Sequence, residues 1–421
     1  MKEKIINIGV PFAFTILVIG LVIAAAIKQN ATEQDNAVAV TVPVTLTASS
    51  QAQNASIGLI VTIGNENAEG SEWQAAASGA KVAIERFNRA GANISLITED
   101  DRGTAEGAIQ AIESLAHQGV SGIIVASHGQ HIEPALQKAQ ELGIAVILPY
   151  AESIYDAWSL HPSKESLQKL IVAHNASSQK VIRIDQRGYT GIEVPAEESI
   201  EVDSSTDFNK LTEQINHKIG DLGDSATIFV NTDSYTQARV TRALQESGTR
   251  AQILLGNEAT SPAFSEVFMT DNSSSVVNAL SVGYKTDDSV ALQADGQGRA
   301  MSAYLQMVKI LAESSETTNA LGDQKFSDVA IAADSRSHDA AVALIRAVED
   351  ADSTDAKAVK KAVANLELAA SDGITGPSLS FTQPYAVTAE PLILSPTVGD
   401  INLRTSQESN YTPIIWFNTA Q

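Results

Sequence analysis

Between Ile57 and Glu152 short apolar runs alternate with helical stretches, and this rhythm constrains the fold more than any other feature of the chain. IGLIVTIG (Ile57–Gly64), ISLITEDD (Ile94–Asp101), SGIIVAS (Ser121–Ser127) and IAVILPYAES (Ile144–Ser153) have strand length and strand composition. Between them lie EWQAAASGAKVAIERFNRAG, TAEGAIQAIESLAHQG and PALQKAQELG, with apolar residues at helical spacing and a closing glycine at Gly91, Gly119 and Gly143. Apolar strands alternating with amphipathic helices read as βαβ units on a parallel sheet. Ligands of such sheets sit in the crevice beyond the carboxyl ends of the strands. Those ends are Ile63–Asn67, Glu99–Arg102, Ser127–Gln130 and Tyr150–Ser153.

A second series follows. Lys180–Asp185, Ser225–Asp233 and Ala251–Thr260 read as strands, with helices over Asp207–Ile219 and Tyr235–Gly248. The helix expected after Lys180–Asp185 is missing, so this second lobe is short. A third section carries amphipathic helices at Arg299–Ser314, His338–Asp350 and Ala356–Leu366, and the chain closes on two strand-like runs, PLILSPTV and YTPIIWF.

Before all this stands Ile8–Ile27, an uncharged and mostly apolar run long enough to cross a bilayer as one helix. It reads as a single-pass membrane anchor, or as a signal sequence cut near Ala24–Ala26. Either reading puts the remainder outside the cytoplasm, on the cell membrane or secreted. Residues 29–53 read as a stalk. Asn-x-Ser/Thr triplets at Asn30, Asn54, Asn93, Asn175, Asn272 and Asn410 mark surface positions if the host glycosylates exported proteins.

The formal charge of −22 argues against nucleic acid, whose phosphates need clustered Lys and Arg. The absence of cysteine excludes disulfides, thiol nucleophiles and lipid attachment through an N-terminal Cys. No Gly-x-Ser-x-Gly elbow and no phosphate-binding loop occurs, and no acid, base and nucleophile set is recognisable. An enzyme is not expected, nor a cofactor. His128-x-x-His131 with Glu133 is the one metal-like spacing, and it reads better as loop polar groups beside an exposed helix residue.

Two α/β lobes with a late return of the chain to the first resemble the type I periplasmic-binding fold. IGLIVTIGNENAEGSEWQAAASGAKVAIERFNRAG, GIIVASHGQHIEPALQKAQELGIAVILPYAES, ILLGNEATSPAF, SHDAAVALIRAVEDA and GPSLSF, in this order, sharpen the resemblance towards the leucine/isoleucine/valine-binding family of solute receptors. With the apolar Ile8–Ile27 run read as one N-terminal transmembrane helix, the resemblance implies two Rossmann-like lobes after it, each with a parallel sheet, around a hinged cleft. It places lobe 1 at 54–173 and 281–381, and lobe 2 at 174–280 and 382–421, after a 1–28 anchor or signal sequence. It implies capture of a small polar solute, an amino acid or amide, for an ABC-type permease. A membrane-anchored sensor and a scaffold that has lost its ligand are the alternatives.

Residue by residue, the resemblance puts the ligand's carboxylate at Ser127, His128 and Gly129 and at Tyr150, Ala151, Glu152 and Ser153. It puts the α-ammonium at Glu258, a closing aromatic within Asp233, Ser234 and Tyr235, and the first-loop aromatic at Trp73. Glu152 stands where a small hydroxyl residue is usual, and its carboxylate would repel a ligand carboxylate. Either Ser153 takes the role or the ligand is no standard amino acid, and an amide, urea or cationic solute comes into view. His338 stands where that family has an aromatic.

Overall fold

The structure is a computed structural model that describes residues 43–64, 68–269, 278–398, 404 and 413–418. The Ile8–Ile27 segment and Asn30, Asn272 and Asn410 lie outside the described residues. Among the described residues no helix is long and apolar enough to cross a membrane.

The first sheet forms around β1 (Ser56–Val61), flanked by β2 (Ser95–Asp100) and β3 (Gly122–Val125) and continued by β4 (Val146–Leu148) and β5 (Trp158–Ser159), all parallel, in the order β2-β1-β3-β4-β5. Successive side chains of a strand point to opposite faces, so β1 must be apolar throughout to be covered on both. Ile57, Leu59 and Val61 face a core that holds Phe87, Leu344 and Val348, whereas Ile60 faces Ile112, Leu115 and Leu136. Helix α1 (Ser78–Asn88) lies on the first face, and α2 (Ala105–His117) and α3 (Glu133–Leu142) lie on the second. Gly143 closes α3 in a left-handed conformation, φ 74°.

Helix α4 (Lys164–Asn175) leads into the second sheet and packs there, through Leu167 and Ile171 against Phe229 and Leu254. That sheet contains β6 (Lys180–Gln186), β7 (Glu198–Val202), β8 (Ala226–Asn231), β9 (Gln252–Leu255) and β10 (Ala279–Gly283) in the parallel order β7-β6-β8-β9-β10. Helices α5 (Phe208–Ile219), α6 (Ser234–Glu246) and α7 (Pro262–Phe268) accompany it. Counted within each lobe, both sheets have the order 2-1-3-4-5, which reverses beside the lobe's first strand. Each lobe therefore has one crevice at that reversal.

After β10 the chain recrosses. Helices α8 (Gly296–Ala312), α9 (Phe326–Val329), α10 (Ser335–Ala351) and α11 (Ala356–Val363) pack on the first lobe, followed by the small hairpin of β11 (Glu367–Leu368) and β12 (Leu379–Ser380). The last strands, β13 (Leu392–Val398) and β14 (Ile414–Asn418), extend the second sheet antiparallel beside β10.

The structure bears out the sequence reading at one further feature and corrects it at another. The missing helix between β6 and β7 is replaced by an extended segment over residues 189–194, whose Ile192 and Val194 are buried against Phe229 and Val282. The described part of the expected stalk, residues 43–53, is bound to the body. Leu46 N donates to Arg86 O at 3.0 Å, Arg86 Nε donates to Val44 O at 2.8 Å, and Ser49 N donates to Glu349 Oε1 at 2.7 Å. Arg86 is buried, and its Nη1 reaches His338 Nε2 at 3.0 Å while His338 Nδ1 reaches Asp339 Oδ1 at 2.8 Å. Burial lowers the Arg86 guanidinium to about 10, against the opposing field of Asp339.

Helices α1 and α10 touch at Gly79. A methyl group added there would lie 1.8 Å from Asp334 O, a backbone atom that cannot swing aside. Gly79→Ala is expected to lower stability by about 1–3 kcal/mol through overpacking. Urea denaturation of the variant beside the native protein measures it, and an unchanged midpoint would mean the two helices are not locked together.

Candidate functional site

The loops beyond β1, β2 and β3 are tied together by a buried polar network. Thr62 Oγ1 donates to Asp101 Oδ1 at 2.8 Å and shares a 2.7 Å hydrogen bond with Ser127 Oγ. His131 Nε2 lies 3.1 Å from Asp101 Oδ2, and its Nδ1 lies 3.4 Å from Glu69 Oε2. Glu69 Oε2 also accepts from Gln130 N at 3.0 Å. Burial opposes a charge on His131, but the hydrogen bonds to Asp101 and Glu69 outweigh it and raise the imidazole to about 9. His128 turns the other way, to a 3.0 Å ion pair with Glu72 that lacks hydrogen-bond alignment. Burial again opposes its charge, and Glu72 raises it to about 10. The two histidines thus serve different carboxylates, and among the described residues no group of three or more such side chains is arranged to hold a metal ion.

Beyond β4, the Tyr150 ring stacks on Trp73 with centroids 4.2 Å apart and planes 4° from parallel, and the Arg336 guanidinium lies 4.8 and 4.9 Å from the two centroids. Arg336 is held by Asp334, Nη2 to Oδ2 at 2.7 Å. Glu152 Oε2 accepts from Tyr385 OH at 2.8 Å, and burial pushes its carboxyl up. Ser153 Oγ donates to Ala157 O at 2.7 Å.

The second lobe faces these loops with the segment that replaces its missing helix. Tyr189 OH donates to Glu258 Oε1 at 2.7 Å, and burial pushes the Glu258 carboxyl up. Asn231 Oδ1 accepts from Ile192 N at 2.8 Å, which pins the segment to the end of β8. Lys164 Nζ donates to Thr190 O at 3.1 Å. Asp233 caps α6, accepting from Thr236 N at 2.7 Å, and Ser234 Oγ donates to Glu258 O at 3.0 Å. Tyr235 OH and Ser71 Oγ meet at 3.2 Å, a direct hydrogen bond between the lobes.

Between the lobes lies a cavity of about 320 Å³. One wall carries His128, Gly129, Tyr150, Ala151, Glu152 and Ser153, and the other carries Tyr189, Gly191, Ile192, Asn231 and Glu258. His161 and Lys164 line it at the chain crossing. Gly129 has φ 121°, and a side chain there would strike the Glu69 carboxylate.

Seven of the residues singled out from the sequence thus share this cavity. Five do not line it. Ser127 is spent on Thr62 and His131, Trp73 is buried under Arg336, Asp233 caps a helix, Ser234 is buried against Glu258, and Tyr235 bridges to Ser71. The lining residues that the sequence did not single out, above all Tyr189, Thr190, Gly191, His161 and Lys164, come from the helix-less connection and the chain crossing. The missing helix was the one available signal.

These two lobes and their cleft form the type I periplasmic-binding fold. Residues 54–184 match the family of periplasmic binding proteins and sugar binding domains of the LacI family. Among solved structures, the branched-chain amino acid transporter substrate-binding protein of Streptococcus pneumoniae, in complex with isoleucine, superposes with a TM-score of 0.60 at 15% identity, covering 86% of this chain and 99% of that one. An ABC transporter substrate-binding protein of Desulfitobacterium hafniense, in complex with Leu, gives 0.58 at 12% identity over 86% and 99%. A leucine-binding protein of Thermotoga maritima gives 0.54 at 14% over 86% and 98%. No curated protein sequence matches the chain. The type I periplasmic-binding fold read from the sequence holds, and the solved structures that share it include leucine- and isoleucine-binding proteins.

The His131 network has a pH signature. An unfolded histidine titrates near 6.5 and the folded one near 9, so the native state holds the proton more tightly. The stability it adds is complete below pH ~6.5 and is lost as pH rises through about 9. Thermal midpoints measured from pH 6 to 10 should fall across that window. They should fall less in His131→Gln, where only the His128 contribution remains. Equal slopes in the two proteins would remove His131 as the source.

Proposed function

We propose that this chain is an extracytoplasmic solute-binding protein that captures a small polar solute, of amino-acid or amide size, between its lobes and hands it to an ABC-type permease. The observation that carries this reading is the cavity of about 320 Å³ with walls from both lobes. That size falls in the range of small-molecule sites, about 300–1,000 Å³. A ligand touching Tyr150 and Glu152 on one side and Tyr189 and Glu258 on the other would favour the closed arrangement through contacts with both lobes. The chain crossings after β5, after β10 and before β13 are where such a hinge would bend. The apolar Ile8–Ile27 run would hold the lobes at the outer face of the membrane, or direct their secretion.

The direct test is a thermal-shift screen with amino acids, short amides, urea, small amines and small anions. A solute at a hundred times its dissociation constant should add about 2.7 kcal/mol of stability. Glu258→Ala should abolish that shift, because the carboxylate anchors Tyr189 in the opposite wall. A shift untouched by Glu258→Ala would leave solute capture standing and move the site elsewhere. No shift across the panel, with the protein folded, would favour a scaffold that has lost its ligand.

A further inference from the structure

Resting on that reading of the cleft, we propose that its solute is a compact organic cation of the amine type that carries no free carboxylate. The argument is an inventory of what the cavity wall still has to offer a ligand.

Its two cationic side chains already have partners within the protein. Lys164 Nζ donates to Thr190 O at 3.1 Å, and His128 is paired with Glu72 at 3.0 Å. Ser127, whose hydroxyl would meet a ligand carboxylate, is buried in the Thr62–Asp101–His131 network and does not line the cavity. An incoming carboxylate would sit beside Glu152 and Glu258, and of the wall's cations only Lys164, which keeps its charge while it bonds a carbonyl, would stand against both.

The acceptors, in contrast, are in surplus. Glu152 Oε2 takes the Tyr385 hydroxyl, but Glu152 Oε1 is buried without a hydrogen-bond partner. The nearest ring nitrogen, His161 Nδ1 at 3.8 Å, does not serve it, because that N–H donates to Pro162 O at 2.7 Å. A carbonyl can only accept, so Nδ1 carries the proton and His161 Nε2 is left as an acceptor. His161 is 8% exposed, lines the cavity, and is pushed down to about 3 by burial, so its ring is neutral. Among the described residues no hydrogen bond to His161 Nε2 is made. An orphaned carboxylate oxygen and a neutral imidazole acceptor therefore occur together in one wall, with Tyr150 and Tyr189 also lining the cavity. Aromatic faces attract a cation that carboxylates have drawn in. The upward push on Glu152 comes from its burial, which outweighs the Tyr385 hydrogen bond and the nearby charge of Lys164.

The test compares probes of one skeleton on the full chain by titration calorimetry: 3-methylbutan-1-amine, leucinamide, leucine and the neutral 4-methylpentanamide. Putrescine and choline extend the panel to other cations. The expected result is that carboxylate-free cations bind at least tenfold tighter than leucine and than the neutral amide. Glu152→Gln should weaken the best cation tenfold or more and leave the neutral amide unchanged. Leucine binding as tightly as leucinamide, or the neutral amide as tightly as the amine, would overturn the cationic class while leaving solute capture intact. No binding by any probe, or by any solute of the wider screen, would overturn both. Should Glu152→Gln not fold, the ranking on the unaltered chain still decides the question.

Discussion

Everything at the cleft depends on one buried ion pair, Asp101 with His131. Asp101 is fully buried just beyond β2, and its two oxygens take Thr62 from just beyond β1 and His131 from the turn before α3. Removing one partner of such a pair would leave an uncompensated buried charge, a loss of about 3–5 kcal/mol. The pair therefore fixes the relative positions of three loops. It also decides chemistry at a distance. Because Thr62 and His131 draw in Ser127, the hydroxyl at the tip of β3 is unavailable to a ligand. The loop then runs on through Gly129 with a backbone that side chains rarely adopt, and this opens the wall against which a solute would rest.

The second lobe reaches its half of the cleft by omission. A helix between β6 and β7 would cover the sheet and stand back from the cleft. The extended segment covers the sheet with Ile192 and Val194 and sends Tyr189 into the cavity wall, where its hydroxyl reaches Glu258. Side chains satisfy the backbone of this segment, as a buried strand-like stretch without a neighbouring strand requires: Asn231 accepts from Ile192 N, and Lys164, Gln168 and Arg183 donate to the carbonyls of Thr190, Glu193 and Val194. On the opposite side, the stack of Trp73 on Tyr150 under Arg336 gives the wall a rigid aromatic floor, tied through Asp334 to the start of α10. The departure at His338 has a similar logic. A ring that is buried and neutral accepts from Arg86 and donates to Asp339, so it joins α1 to α10 as a polar link that an aromatic could not make.

The periodicity of the chain determined the two parallel sheets, the places where helices start and stop, and the end of the sheets at which a cleft would form. These are local properties. Alternation and helical spacing record which faces are buried, and glycines record where helices close. The absence of a helix after β6 was equally readable, as was the anomaly of a carboxylate at Glu152. What the sequence could not decide was which polar side chains at the strand ends face a ligand and which face each other. Ser127 and Trp73 carry the right chemistry, yet one is claimed by residues 65 and 4 positions away and the other by an arginine at 336. His161 becomes an acceptor only because Pro162 O takes its proton. Such pairings depend on distances between segments remote in the chain, and hydrogen bonds decide within a few tenths of an ångström. The tertiary structure alone brought them together, and with them the charge of the cleft.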